Sequence, residues 1–464
     1  MLEFCKRIAD PVHGSIGITK VELDLINTKS FARLRDVKQL GMAYYVYPGA
    51  DYSRFAHSVG VCHTTGLILN QLRTVESSIN DNEVQRYRLA GLLHDIGHYP
   101  FSHAMEDAIQ NYFSEKLTKR VGGGDDPGDS QSESFLMHEE LGAEVLEHDE
   151  EVKNVLNEFG YDGDEISSIF NRNRPPKYAN LVSSDLDADR IDYLLRTALH
   201  TGLPYGSVDL DYLIANLMVD ENSRICIKPR ALRTADHFLL CRLFDYQQVS
   251  FHKTVAALEL VLKDVIVEAL KRDIVTASKQ SILDRISDGT WADFDDTELV
   301  NQLRELRAQE GEPDLHLRLD ALFGRNPPRM IYAKEFFKVD GEENYEQALS
   351  LIGSCRRELA REVSLNENRF YIWKKALSLT KVGGTVAASS IGSEKVSEKL
   401  EQAVRVASKT GSKPIAEHES SVMKLLADAK LYTIRLYVLL GEEEKELRRV
   451  LERKVRDFMG GEDS

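Results

Sequence analysis

Through most of this chain, apolar residues recur at intervals of three and four positions. The pattern is clear in the segments 59–72 and 258–265, where Val, Leu and Ile follow this spacing. Residues so spaced fall on one face of an α-helix and give it a buried stripe. We therefore predict an all-α, mainly helical fold. Minor short β pieces are predicted at 44–47 and 224–227, where β-branched or aromatic residues adjoin turn residues.

The length of the chain, 464 residues, exceeds the roughly 250 to 300 at which one hydrophobic core stops growing. Residue types that carry chemistry become rare beyond about position 270, where charged helical sequence takes over. We predict a catalytic domain at 1–270 and a helical C-terminal region at 271–464. Its last long helix, predicted over 421–459, either covers the core or joins two subunits in an oligomer.

Charge and cysteine content argue against several classes of protein. The formal net charge is −16 and Lys and Arg are dispersed along the chain, so nucleic-acid binding is not indicated. The five cysteines are scattered without CxxC spacing, which argues against a disulfide framework or a thiolate zinc site. Without an apolar run of about 18 residues, we expect no membrane contact and a cytoplasmic location. Segments 121–134 and 383–393, rich in Gly and Ser, are predicted loops.

Titratable groups interrupt an apolar run at 89–106, LAGLLHDIGHYPFSHAME. Burying such a group unpaired costs on the order of several kcal/mol, so three histidines and an aspartate in this context require a reason. They are His94, Asp95, His98 and His103. We predict that His94 and His98 share a helix face, and that Pro100 ends this helix so that the chain can fold back. The segment is a candidate metal or catalytic site.

Two further patches contribute residue types that bind metals. His57 follows Arg54 at the predicted start of a helix over 58–72, where a capping or core role for the imidazole is also open. The segment 187–196, DADRIDYLLR, is rich in carboxylates and arginines, and surface ion pairs are the alternative there. Imidazoles and carboxylates from three segments form an open site for a divalent ion, such as Mn, Mg, Fe, Zn, Ni or Co.

Several sequence blocks occur together in a fixed order between about positions 7 and 265. They are DPVHG (10–14), FARLRDVKQLG (31–41), YYVYPGA (44–50), RFAHSVGV (54–61), LLHDIGHYPFSH (92–103), HE (138–139), DADRIDYLLR (187–196) and FHKTV (251–255). With these blocks the chain resembles the HD-domain superfamily of phosphohydrolases. Within it, the chain looks like the deoxynucleoside triphosphate triphosphohydrolases, which include bacterial HD phosphohydrolases and the animal sterile-alpha-motif HD enzyme. The resemblance implies an HD-domain fold over 1–270.

The resemblance also implies a role for each residue at a matching position. The implied metal ligands are His57, His94, Asp95 and Asp189. The implied catalytic residues are His98, His103, His138 and Asp189, with His103 as the proton donor at the α-phosphate. The implied nucleotide contacts are Arg54, Arg190 and Arg242 at the phosphates and Gln39, Leu40 and Tyr193 at the sugar. The implied reaction is attack of water at the α-phosphorus, which releases nucleoside and triphosphate, in a homo-oligomer such as a dimer or tetramer.

This chain departs from the family's pattern at several positions. Thr197 stands where relatives usually have an aspartate at the sugar 3′-hydroxyl, and Ser250 where many have a tyrosine beside the 2′ position. Ala9, Asn27 and Ala32 stand where guanine-controlled relatives read their activator, so the same activation is not expected. Other functions therefore stay open: hydrolysis of a monophosphate, a cyclic nucleotide or a nucleic-acid end, or nucleotide sensing with little turnover.

Overall fold

The computed structural model describes residues 2–123, 134–171, 178, 181–182, 184–222, 224–308, 313–339, 341–378, 403–409 and 411–459. Most of the loop predicted at 121–134, and all of that predicted at 383–393, lie outside the described residues. Within the described part of the chain, no helix has the length and apolar character needed to cross a bilayer.

The mainly helical class is confirmed. The helices of the first 323 residues are α1 (Lys20–Ile26), α2 (Lys29–Ala32), α3 (Arg54–Leu72), α4 (Asp81–Leu93), α5 (His103–Gly123), α6 (His138–His148), α7 (Glu150–Glu158), α8 (Gly163–Phe170), α9 (Ala188–Thr201), α10 (Leu210–Ala215), α11 (Leu232–Asp245), α12 (Lys253–Lys271), α13 (Lys279–Asp288), α14 (Asp296–Ala308) and α15 (Pro313–Phe323). Helix α3 packs against α4 and α9, and α5 packs against α12. Their apolar faces enclose one large core.

Capping residues fix the ends of the helices that carry the candidate site. At the start of α3, the Ser53 hydroxyl accepts the N–H of Ala56 at 3.4 Å. At the start of α9, the Asp187 carboxylate accepts the N–H of Arg190 at 2.7 Å. Gly202 ends α9 with a φ of 72°, a left-handed conformation that favours glycine. The caps satisfy N–H groups that lack a partner within the helix, so the first turns of α3 and α9 are held in place.

Two small sheets flank the helices. β1 (Lys6–Asp10) and β2 (Gly14–Ile18) form an antiparallel hairpin. The second sheet has the order β3 (Leu217–Val219), β4 (Ile225–Ile227), β7 (Arg405–Ser408) and β8 (Gly411–Pro414), with β4 and β7 parallel. The strand predicted at 224–227 is therefore confirmed.

The strand predicted at 44–47 is wrong. Residues Gly41–Tyr45 form a short 3₁₀ helix, and the N–H groups of Val46 and Tyr47 both donate to the carbonyl of Ala43. Local turn hydrogen bonds thus replace the strand pairing that the aromatic and β-branched residues indicated.

A larger antiparallel sheet dominates the C-terminal part, in the order β5 (Arg329–Val339), β9 (Ala429–Val438) and β6 (Phe370–Ser378). The accompanying helices are α16 (Glu342–Glu362), α17 (Met423–Leu426) and α18 (Leu447–Phe458). Along β9, Ile434, Leu436 and Val438 belong to the small core shared with α16 and α18. Leu431 and Tyr437 belong to the large core instead. Side chains of a strand alternate between faces, so β9 is buried on both sides.

The single helix predicted over 421–459 is wrong in its first part, because β9 lies within it. A strand that is buried on both faces is apolar at nearly every position, so some of its residues also match helical spacing. The domain boundary at 270 stays a prediction. Helix α12 runs through this boundary to Lys271, and the large core extends from Ile16 to Leu439.

We predict that Leu436→Ala lowers the free energy of unfolding by about 2 to 5 kcal/mol, the usual cost of a cavity in a core. Leu436 is 0% exposed in β9, whereas Leu425 is 77% exposed. The matched control Leu425→Ala should change stability by less than about 0.5 kcal/mol. Urea unfolding followed by circular dichroism measures both, and equal losses in the two variants would contradict the strand assignment.

Candidate metal and phosphate site

His57 and His94 present ring nitrogens to the same space. His57 lies in the first turn of α3, and its Nδ1–H donates to Asp192 Oδ2 at 2.8 Å. His94 follows the last residue of α4, and its Nδ1–H donates to the carbonyl of Gly91 at 2.9 Å. Because both partners are acceptors, the Nε2 atom of each ring carries the lone pair when the ring is neutral, as it is when it binds a metal. Both Nε2 atoms are buried without a hydrogen-bond partner among the described residues, and the ring centres are 5.3 Å apart.

Two carboxylates approach these nitrogen atoms. Asp189 Oδ1 lies 3.0 Å from His57 Nε2, but the pair lacks the alignment of a hydrogen bond. Asp95 Oδ1 lies 3.3 Å from His94 Nε2, and Asp95 Oδ2 lies 3.9 Å from His57 Nε2. Two imidazoles and two carboxylates suit a divalent transition-metal ion. The orphaned nitrogen atoms fit such an ion, which would accept both lone pairs.

Burial and neighbouring charges set the ionisation of this cluster. Burial lowers the pKa of His57, but the adjacent carboxylates of Asp189 and Asp192 outweigh this effect and raise it to about 9. Burial raises the pKa of Asp95, but nearby positive charge, above all that of Arg54, holds it well below its usual range. Asp95 is therefore ionised at neutral pH, and the carboxylates favour positive charge between them.

Asp192 orients His57 through the Nδ1 side of the ring, opposite to Nε2. The sequence did not reveal this role. Its Oδ1 accepts hydrogen bonds from His13 Nε2 at 2.7 Å and from an Arg196 N–H at 2.8 Å. Arg196 also donates to Asp10 at 2.8 Å, so the loop of the β1–β2 hairpin closes the network. Gly60 permits this approach, since a β-carbon there would lie 1.9 Å from Asp192 Oδ1. Two features of the sequence could have indicated this role of Asp192: the DPVHG block, which contains Asp10 and His13, and the glycine at position 60 inside a helix.

Three histidines lie beside the candidate metal ligands and line the same cavity. His98 stacks on His138 with ring centres 4.0 Å apart, and His103 lies 5.4 Å from His138. Glu106 accepts the Nδ1–H of His138 at 2.9 Å and that of His103 at 3.1 Å. Burial raises the pKa of Glu106, but these hydrogen bonds outweigh it and hold the pKa far below the usual range. Ionised Glu106 thus fixes both rings. Sequence analysis missed it, although it follows His103 by three positions.

A cavity of about 670 Å³ connects these side chains. The substrate contacts implied by the resemblance all line it: Gln39, Leu40, Arg54, Arg190, Tyr193 and Arg242. Of the implied metal ligands, His94, Asp95 and Asp189 line it as well. His57 lies behind them and is 0% exposed.

Each of the three arginines of the cavity lies beside a carboxylate. Arg54 donates to Asp95 at 2.6 Å. Arg190 donates to Asp185 at 2.7 Å, and an N–H nitrogen of Arg242 lies 3.5 Å from the same Asp185 oxygen. Carboxylates beside guanidinium groups restrict the movement of these planar groups and prepare their N–H donors for the oxygens of an anion such as phosphate. Asp185 is a further residue that sequence analysis missed.

The helix predicted to carry both His94 and His98 ends earlier, at Leu93. The residues that follow form tight turns, and α5 begins directly after them. Phe101 and Ser102 have φ angles of 51° and 57°, which are left-handed and unfavourable for residues with a side chain. The three histidines of this segment therefore reach the cavity from a constrained turn and from the first residue of α5, not from one helix face.

Comparison with known proteins identifies the domain that holds the site. Residues 54–197 match the HD domain family. The chain contains an HD domain. HD domains bind divalent metal ions, and the His and Asp clusters described above are able to hold one, whose identity is unknown.

Proteins from distant organisms are similar to this chain over about half of its length. The uncharacterized protein YwfO of Bacillus subtilis is 31% identical over 264 residues, which are 56% of this chain and 55% of that protein. A deoxynucleoside triphosphate triphosphohydrolase SAMHD1 homolog of Dictyostelium discoideum is 29% identical, over 57% of this chain and 49% of that protein. This chain spans about half the length of the curated relatives it matches.

Similarity to solved structures extends over nearly the whole chain. A hypothetical protein from Aquifex aeolicus aligns with a TM-score of 0.69 and 25% identity, over 97% of this chain and 99% of that one. A phosphohydrolase from Bacteroides thetaiotaomicron aligns with a TM-score of 0.67 and 24% identity, over 93% and 99%. The fold, including its C-terminal part, is thus shared with these proteins.

We predict that His57→Ala removes the bound divalent metal from the HD domain, because it deletes a nitrogen ligand that no neighbour replaces. Elemental analysis of the purified protein measures metal per chain, and circular dichroism should show the helical fold retained. His200→Ala is the matched control, since His200 donates to the carbonyl of Gly49 away from the cluster. Full metal occupancy in His57→Ala would show that this ligand assignment is incorrect.

A second prediction separates orientation of a ligand from ligation. Asp192→Asn keeps an oxygen acceptor for His57 but removes the charge, so affinity for the divalent metal should fall roughly 10- to 100-fold. Competition with a chelator measures this change in the folded variant. Asp10→Asn is the control, because Asp10 contacts Arg196 and not His57, and its effect should be smaller. Wild-type affinity in Asp192→Asn would rule out the positioning role.

Proposed function

We propose that this protein is a metal-dependent phosphohydrolase that cleaves deoxynucleoside triphosphates to nucleoside and intact triphosphate. The observation that carries the proposal is the convergence of three arginines and the His-Asp metal cluster on one cavity. Its volume, about 670 Å³, lies within the range of roughly 300 to 1,000 Å³ that small-molecule sites occupy. The proposed metal ligands are His57, His94, Asp95 and Asp189.

The arginines favour a substrate with several phosphates. Arg54 lies beside the metal cluster through its contact with Asp95, whereas Arg190 and Arg242 form a separate pair at Asp185. A single phosphate would leave one of these positions without its anion, while a polyphosphate chain can reach both. Two arginine positions with different carboxylate partners in one cavity support a triphosphate over a monophosphate.

Proton transfer is assigned to His103. A bound divalent metal lowers the pKa of water and polarises a phosphoryl oxygen. His103 lines the same cavity, with its side chain 67% exposed and its Nδ1 held by Glu106. In the imidazolium form it donates its Nε2 proton to the leaving oxygen and keeps the Nδ1–H on Glu106. Burial and the charge of Arg54 hold the pKa of His98 well below its usual range, so His98 acts as a neutral hydrogen-bonding group.

Named relatives support the choice of reaction. The homologs from Dictyostelium discoideum and Gallus gallus are described as deoxynucleoside triphosphate triphosphohydrolases, and each is 28% to 29% identical over somewhat more than half of this chain. Their substrate class, and assembly into a dimer or tetramer as the resemblance implies, are carried to this chain as proposals.

The proposal predicts which products form. Purified protein with Mn, Mg, Fe or Co is incubated with each dNTP and NTP, singly and mixed, and the products are identified by ion-exchange chromatography. Triphosphate and nucleoside should appear in equal amounts. Arg190→Gln should lower kcat/KM roughly 10- to 100-fold through the loss of a charged hydrogen bond, whereas Arg86→Gln, a change outside the cavity lining, should not. Release of orthophosphate, pyrophosphate or monophosphate as the first product would overturn this function.

A further inference from the structure

Asp245 is a buried carboxylate in the cavity wall that the proposed reaction does not use. It is the last residue of α11, directly before a π-helical turn at Tyr246–Ser250. Its side chain lines the cavity, and the residue is 4% exposed. Among the described residues, its hydrogen-bond donor is the hydroxyl of Tyr205, at 2.5 Å.

Positive charge near Asp245 is engaged elsewhere. Arg242 precedes it by one helical turn, but that guanidinium lies 3.5 Å from Asp185 and 5.5 Å from the centre of the Tyr246 ring. Burial accordingly raises the pKa of Asp245 to about 7, although Tyr205 and Arg242 act in the opposite direction. A buried carboxylate with one hydrogen bond and space beside it favours a further donor. A ligand in the cavity can supply one.

The donor must belong to the ligand whose phosphates the arginines contact. Arg242 and Asp245 are three positions apart on α11 and both line the cavity, so their side chains lie on the same helix face. A nucleotide bound through its phosphates carries its sugar in the same cavity, and sugar hydroxyls are the donors that nucleotides share. A sugar hydroxyl is therefore the donor that such a ligand offers to Asp245.

Other polar groups near this wall do not offer the same acceptor. Thr197 is 0% exposed and is absent from the cavity lining, and its hydroxyl pairs with that of Tyr52 at 2.8 Å. Ser250 lines the cavity, but its hydroxyl carries no charge. On this side of the cavity, the end of α11 supplies a carboxyl group as the acceptor.

We propose that Asp245 accepts a hydrogen bond from a sugar hydroxyl of the bound nucleotide and thereby selects substrates that carry this hydroxyl. The inference rests on the proposed function for the identity of the substrate, and it names a residue that recognises the sugar. The hydroxyl of Tyr205 donates to Oδ1 of Asp245 and so holds the carboxylate in place.

The test compares 2′-deoxyadenosine and 2′,3′-dideoxyadenosine triphosphates as substrates. Wild-type kcat/KM should be roughly 10- to 100-fold higher for the substrate with the hydroxyl, the usual effect of a hydrogen bond to a charged group. Asp245→Leu should abolish this ratio by lowering only the rate on the deoxy substrate. Asp245→Asn, whose amide oxygen still accepts, should give an intermediate ratio. Thermal melting establishes that each variant is folded.

Glu259→Gln is the matched control, because Glu259 is another carboxylate that lines the cavity and whose pKa burial raises. Its ratio between the two substrates should equal that of the wild type. An equal loss on both substrates in Asp245→Leu, or an unchanged ratio, would overturn the assignment.

A parallel binding measurement keeps the two proposals separable. Calorimetry with His103→Ala, which lacks the assigned proton donor, compares affinities for the same two nucleotides with and without Asp245→Leu. If the wild type releases no triphosphate, the proposed function fails. The binding ratio still decides the contact: dependence on both the hydroxyl and Asp245 supports it, and equal affinities refute it.

Discussion

The buried negative charge of Asp192 is the interaction on which the site depends. The residue is 0% exposed, and a carboxylate in such a position is stable only when its oxygen atoms are paired. Its partners come from three places: His13 from the hairpin loop, His57 from α3 and Arg196 from α9 itself. Because each partner helps to compensate the charge, the orientation of His57 toward the candidate metal position is linked to correct packing of all three elements.

The turn between His98 and α5 is the second constraint. Phe101 in this turn is left-handed, a conformation that costs about 1 to 3 kcal/mol and persists only when its surroundings impose it. Asp296 accepts the N–H of Phe101 at 2.7 Å and that of Lys38 at 3.0 Å, while Arg33 donates to the carbonyl of His98 at 2.5 Å. Asp296 begins α14, so a helix beyond residue 270 helps to hold the histidines in place.

The C-terminal sheet also forms part of the cavity. Trp373 and Lys375 of β6 belong to its lining, and the Trp373 ring packs edge-on against Phe251 with centres 4.9 Å apart. The sequence beyond 270 showed few residue types typical of catalysis, so it was expected to be a helical appendage. The contribution of β6 comes from its position against α12, which local sequence does not encode.

The sequence by itself determined the mainly helical class and indicated the residues of the candidate site, because both can be recognised from short segments of the chain. Helical spacing is visible within a dozen residues, and titratable groups in the apolar run 89–106 are costly to bury without a function. Only the tertiary structure decided that β9 is a strand and that Glu106, Asp192 and Asp245 face the site. These outcomes arise from contacts between segments far apart in the chain. The sequence does not show whether an aspartate or glutamate faces solvent or a buried imidazole. The packing of the folded chain determines which partner the carboxylate has.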